Sequence, residues 1–159
     1  MNYRSLVKPI AVAVALAASQ GAMAQSKTAN FDVSIQVLAT CSISASNMTF
    51  SSITTGTTSN TDASSALTVN CSQGTPYTIS LGNGNNYSGG RRMTNGTTNI
   101  NYYLYSDTGR TTQWNTTATQ AGTGSGTDQA LTVYGRIPSG QAVPFTGAYA
   151  DTVIATVNY

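Results

Sequence analysis

The chain has 159 residues, with seven Lys and Arg against five acidic residues, two cysteines and no histidine. Every acidic residue is an aspartate and none are clustered, which excludes a histidine triad, a histidine zinc site and a paired-carboxylate acid and base. A net charge of +2 supplies no basic patch for nucleic acid or anionic lipid.

The chain opens as a secretion signal. Arg4 and Lys8 form a basic start, Ile10 to Ala18 is a short apolar core, and Ala22-Met23-Ala24 is an A-x-A site, which predicts cleavage between Ala24 and Gln25. That apolar run is too short to span a bilayer as a helix, so residues 1–24 read as a signal peptide on an exported protein. Once they leave, Lys27, Arg91, Arg92, Arg110 and Arg136 balance Asp32, Asp62, Asp107, Asp128 and Asp151. A nearly neutral chain rich in Ser, Thr, Asn and Gly suits a protein made to associate.

Residues 25–40 form an extension around Ala29 to Ala39, where Phe31, Val33, Ile35, Val37 and Ala39 alternate with Asp32, Ser34, Gln36 and Leu38. The alternation predicts a strand with one apolar face. Such a strand is buried against its own domain as an ordinary first strand, or against another molecule. Cys41 and Cys71 follow, and in an oxidising compartment a lone pair is read as a structural disulfide. The bridge closes a loop of about 30 residues, worth roughly 3.5 kcal/mol in the chain-entropy model.

A strand is expected from Cys41 to Ala45, then an apolar patch at Met48, Phe50 and Ile53, then a structureless loop over Thr54 to Ser65. Ala66 to Cys71 alternates again, with Leu67, Val69 and Cys71 on one face. Tyr77 to Leu81 is a strand ended by Gly82-Asn83-Gly84-Asn85-Asn86. One strand is predicted over Asn99 to Tyr105, with Ile100, Tyr102 and Leu104 on one face. Asn115 to Asp128 reads as a long loop behind an isolated Trp114. Gln129 to Ile137 and Tyr149 to Tyr159 close the chain as strands. No segment outside the signal carries a helical period, so the class is all-β, a two-sheet sandwich from residue 41 to residue 159. About six strands are counted there, one short of the seven of an immunoglobulin-type sandwich.

Several motifs now coincide: Phe31-x-Val33 with Val37 and Cys41; Arg91-Arg92-Met93 leading to Ile100-Asn101-Tyr102-Tyr103-Leu104-Tyr105-Ser106-Asp107; Arg110-Thr111-Thr112-Gln113-Trp114; Tyr134-Gly135-Arg136-Ile137-Pro138; and Gly147-x-Tyr149-x-Asp151-Thr152-Val153 with Thr156-Val157-Asn158-Tyr159. In this order they resemble the spore coat protein U domain family, which includes the subunits of archaic, Csu-type chaperone-usher pili. The resemblance covers the mature chain; Phe50-Ser51 departs from the Phe-Gly of many relatives. It implies an incomplete immunoglobulin-like sandwich completed by donor-strand complementation. Phe31, Val33, Ile35 and Val37 would be donor residues, while Ile43, Val153, Ala155, Val157 and Tyr159 would border the acceptor groove of a neighbouring copy. A periplasmic chaperone, an outer-membrane usher and tip adhesin or adaptor subunits are the further partners it implies. The product would be an extracellular pilus rod that supports attachment and biofilm formation.

An edge strand missing from a sandwich exposes unpaired backbone and an apolar trench, and a donor strand satisfies both. Two other readings stand beside it: a self-complemented secreted coat protein, and a carbohydrate-binding sandwich in which Trp114 and Tyr102, Tyr103 and Tyr105 stack on sugar. For the tyrosines the plainer account is β-propensity and packing. Arg91-Arg92 is expected as a charged pair on a solvated hairpin. Neither a cofactor nor a metal is expected, since no D-x-D-x-D-G loop is present, and the N-x-Ser/Thr sequons at Asn47, Asn86, Asn95 and Asn115 are incidental to the composition.

Overall fold

The computed structural model describes residues 23–142 and 145–159, so most of the predicted signal lies outside the described residues. The chain divides into two compact units, Met1–Gln36 and Val37–Tyr159. In the first unit the described residues carry no helix or strand. The second is all-β: β1 (Cys41–Ala45), β2 (Thr61–Cys71), β3 (Pro76–Leu81), β4 (Arg92–Thr94), β5 (Asn99–Asn101), β6 (Tyr103–Tyr105), β7 (Gln120–Thr123), β8 (Gln129–Ile137) and β9 (Ala155–Asn158).

One sheet has the order β1-β2-β8-β6, the other β7-β3-β9, and β4 with β5 forms a separate ribbon; every pairing is antiparallel. The core follows from strand alternation. Leu67, Val69 and Cys71 of β2, Tyr77, Ile79 and Leu81 of β3, and Val133 and Ile137 of β8 turn inward together with Ile100, Tyr102, Leu104 and Trp114. Cys41 and Cys71 are register partners at the start of β1 and are joined by a disulfide.

Four stretches differ from the sequence reading, each because tertiary pairing overrides local composition. The predicted loop over Thr54 to Ser65 becomes strand from Thr61 onward, since Thr61-Asp62-Ala63-Ser64-Ser65 pairs with Val133 to Ile137. The second predicted loop contains β7, whose Gly122 admits the Tyr77 ring where a Cβ would collide. The strand expected over Asn99 to Tyr105 is cut at Tyr102, because β5 pairs with β4 whereas β6 pairs with β8. The terminal strand is shorter than Tyr149 to Tyr159; before Ala155 the segment makes the Thr94–Ala150 bridge and accepts single backbone hydrogen bonds from Asn85 to the Thr152 carbonyl and from Gly82 to the Ile154 carbonyl, with no continuous ladder.

Candidate functional site

The two sheets end on the same side with unpartnered edges. β9 is hydrogen-bonded to β3 on one side, β1 to β2 on one side, and among the described residues neither has a ladder partner on the other. β1 and β9 approach each other there but belong to different sheets. Between the segment that follows β1 and the segment that leads into β9, the sandwich opens onto its own core.

The opening consists of two adjoining hollows of about 450 and 620 Å³ that share Met48, Thr49, Phe50, Met93 and Tyr149 as walls. The smaller has Leu67, Leu81, Tyr102, Leu104 and Val133 as its floor and Val153 and Ala155 on its β9 side. Ile53, Ile100, Ile137 and Phe145 line the larger. Apolar core side chains are therefore the floor of an open groove whose walls mix Ser, Thr and Asn with Met and Phe, where a closed sandwich would cover that floor with a strand. Met48 and Phe50 are held on their wall by Gly135 of β8: a Cβ at that glycine would meet the Met48 Sδ and the Phe50 ring.

A partly buried polar network fixes the β9 side. Asp151 accepts the Tyr102 hydroxyl at 2.7 Å, the Asn86 backbone N–H at 3.1 Å and the Asn86 Nδ2 at 3.0 Å. Gly84, at φ +86°, leaves room for the Asp151 carboxylate. Arg91 is 8% exposed and donates to the carbonyls of Leu81, Gly82 and Trp114 at 2.7–3.0 Å. Burial lowers its pKa, opposed by Tyr102 and Asp151. Burial, then the hydrogen bond to Asp151, raises the pKa of Tyr102 well above the ordinary phenol value. The Tyr149 hydroxyl contacts Thr98 Oγ1 and donates to the Phe145 carbonyl, which pins the rim of the larger hollow.

The residues singled out in the sequence fall into distinct places. Val153 and Ala155 line the groove directly. Ile43 and Val157 are half-buried against the core beside it, and Tyr159 is 63% exposed; none of these three lines either hollow. Ala24 and Gln25 are exposed. Phe31, Val33, Ile35 and Val37 are 84–89% exposed, and residues 23–40 carry no strand, so the apolar stripe stands without a ladder. One expectation is corrected, and the carbohydrate alternative loses its central residue. Arg91 is not on a solvated hairpin but holds three carbonyls in the interior. Trp114 is 1% exposed and gives its indole N–H to the Ile79 carbonyl at 2.9 Å, so it cannot stack on a sugar.

The sequence reading noted Met48, Phe50 and Ile53 only as an apolar patch, and it missed Met93 and Tyr149 as groove walls. Their signal was weak because Ser and Thr separate them without a sustained alternation. Nothing local marked Asp151 and Asn86 as partners, since they are 65 residues apart.

A family model described as "Spore Coat Protein U domain" matches residues 27–156. Protein U of Myxococcus xanthus is 31% identical over 179 aligned positions that cover 98% of each chain. Among solved structures, the fold is similar to a chain of the CsuC–CsuE chaperone–tip adhesion subunit pre-assembly complex from archaic chaperone-usher Csu pili of Acinetobacter baumannii. The TM-score is 0.60 at 24% identity, and the match covers 77% of this chain and 40% of the solved one. At that identity the likeness is one of fold. The match to the family model and the kinship with Protein U together establish that the chain belongs to the Spore Coat Protein U domain family.

Proposed function

We propose that the protein is a structural subunit of an extracellular pilus, assembled by donor-strand exchange. The observation that carries this reading is the pairing of complementary features in one chain. An open groove with an apolar floor runs beside the free edges of β1 and β9, and an exposed stripe of Phe31, Val33, Ile35 and Val37 has strand alternation. The stripe of one copy would lie in the groove of the next, with its backbone completing the sheet at β9 and its alternate side chains filling the hollows. Ile43, Val153, Ala155, Val157 and Tyr159 would border that groove. Residues 1–24 would be removed after export and residues 25–40 would be the donor extension.

Before assembly the groove would be an aggregation hazard, so a periplasmic chaperone is the partner expected to cover it. The likeness to a chain of a chaperone–tip adhesion subunit complex supports that partner. An outer-membrane usher and tip or adaptor subunits would complete the route to the cell surface, where the fibre would serve attachment and biofilm formation without catalysis. The family name favours one second reading, a coat protein whose own residues 31–37 complete its sandwich.

Size-exclusion chromatography and negative-stain microscopy of the chain from Gln25, with and without residues 25–39, separate the two. Filaments or large oligomers that disappear on truncation are the expected outcome. A full-length monomer that unfolds on truncation would overturn exchange in favour of self-completion.

A further inference from the structure

The groove walls carry the chain's thioethers. Its four methionines are Met1, Met23, Met48 and Met93, so after the proposed cleavage every remaining methionine lines the groove, and both line both hollows. Each is half-buried, within reach of a small solute in the open groove. No cysteine is free to react first. The Met48 sulfur and the Phe50 ring both lie over the bare face of Gly135, surroundings that suit a thioether and not a sulfoxide.

We propose that Met48 and Met93 form a peroxide-sensitive modification site that decides whether an unassembled subunit can accept a donor strand. This inference rests on the donor-strand reading. A thioether lone pair attacks one oxygen of hydrogen peroxide and an S–O bond forms. The O–O bond breaks, and the second oxygen leaves as water after proton transfer. Sulfur is oxidised by two electrons and the peroxide is reduced. The product is polar and chiral, and in a Met-lined apolar interface it is disruptive. Burying it under a donor strand leaves its oxygen without a partner, which at ordinary desolvation costs corresponds to a loss of about tenfold or more in donor affinity. A seated donor would cover both sulfurs, so assembled subunits resist the same reagent and only vacant grooves are inactivated.

The test uses the chain from Gln25 held as monomer at low concentration, a fluorescent peptide of residues 29–39, and hydrogen peroxide. The expected result is the gain of two oxygens by intact mass at Met48 and Met93 and a drop of about tenfold or more in peptide affinity. Oxidation should slow several-fold when the peptide is already bound. Met48→Leu with Met93→Leu, a volume-conserving pair, should gain no oxygen and keep its affinity after treatment. Peptide affinity that survives double oxidation, or oxidation equally fast with peptide bound, overturns this inference alone. Failure of the peptide to bind the untreated chain overturns the donor-strand reading and this inference with it.

Discussion

Arg91 is the residue whose environment departs furthest from what its neighbours in sequence suggest. Its guanidinium spans the carbonyls of Leu81, Gly82 and Trp114, so it ties the end of β3 to the segment behind β6. Replacing it with methionine strands three carbonyl groups in the interior, which should cost about 2–4 kcal/mol in a denaturation midpoint experiment. Lysine should recover little, because one ammonium cannot reproduce the planar fork. Arg92, one position on, gives its Nε–H to the Asn86 carbonyl nearer the surface and should tolerate lysine. Nothing in the string Gly-Gly-Arg-Arg-Met distinguishes the two, since three carbonyls converge on Arg91 only once β3 and the Trp114 segment are folded side by side. Alternation, by contrast, made Tyr77, Ile79 and Leu81 legible as inward residues, because a strand's period of two is written locally.

At the scale of elements, β2 and β8 form the longest ladder, and an ionic clamp secures its far end. Asp62 faces Arg136 in register and accepts from Arg136 Nε and Nη2 at 2.8 Å each, with Arg110 at 3.3 Å. The hydrogen bond from Arg136, aided by the Arg110 charge, lowers the Asp62 pKa below the usual carboxylate value. A lowered folded-state pKa means the clamp contributes fully above the unfolded value of about 4 and is lost as pH falls through the lower folded value. Thermal stability should therefore decline on acidification below about pH 4, and Asp62→Asn should flatten that part of the profile. The pair is partly solvated, so the effect should be at most about 1 kcal/mol. The same ladder explains a limit of sequence reading. Thr61-Asp62-Ala63-Ser64-Ser65 has too few apolar residues to announce a strand, and its extended form is imposed by pairing with β8. The groove was legible in part for the same reason: Val153 and Ala155 sit on a recognisable alternation, whereas Met48, Phe50 and Met93 gather only after β1, β4 and β8 are in place.

At the scale of the whole molecule, the proposed donor and acceptor are different surfaces of one chain. Such a contact is head-to-tail, and it extends without closing unless geometry bends it into a ring. Each subunit then has two independent capacities, and a substitution can remove one and spare the other. Ile35→Asp places a carboxylate in the middle of the donor stripe. Burying that charge in the apolar groove without a partner is strongly unfavourable, so this variant should not donate. Its own groove, built from residues after position 40, is unchanged and should still accept. Added to wild-type subunits below equimolar ratio, Ile35→Asp should therefore act as a chain terminator: it takes a wild-type donor into its groove and presents none to a further subunit. Mean fibre length measured by microscopy should shorten progressively with the fraction added, well before the total number of incorporated subunits falls. Fibres of normal length at every ratio would remove Ile35 from the donor strand. Inhibition that appears only near equimolar ratio would instead indicate a closed pairwise contact, which is the assembly that a head-to-tail surface pair does not predict.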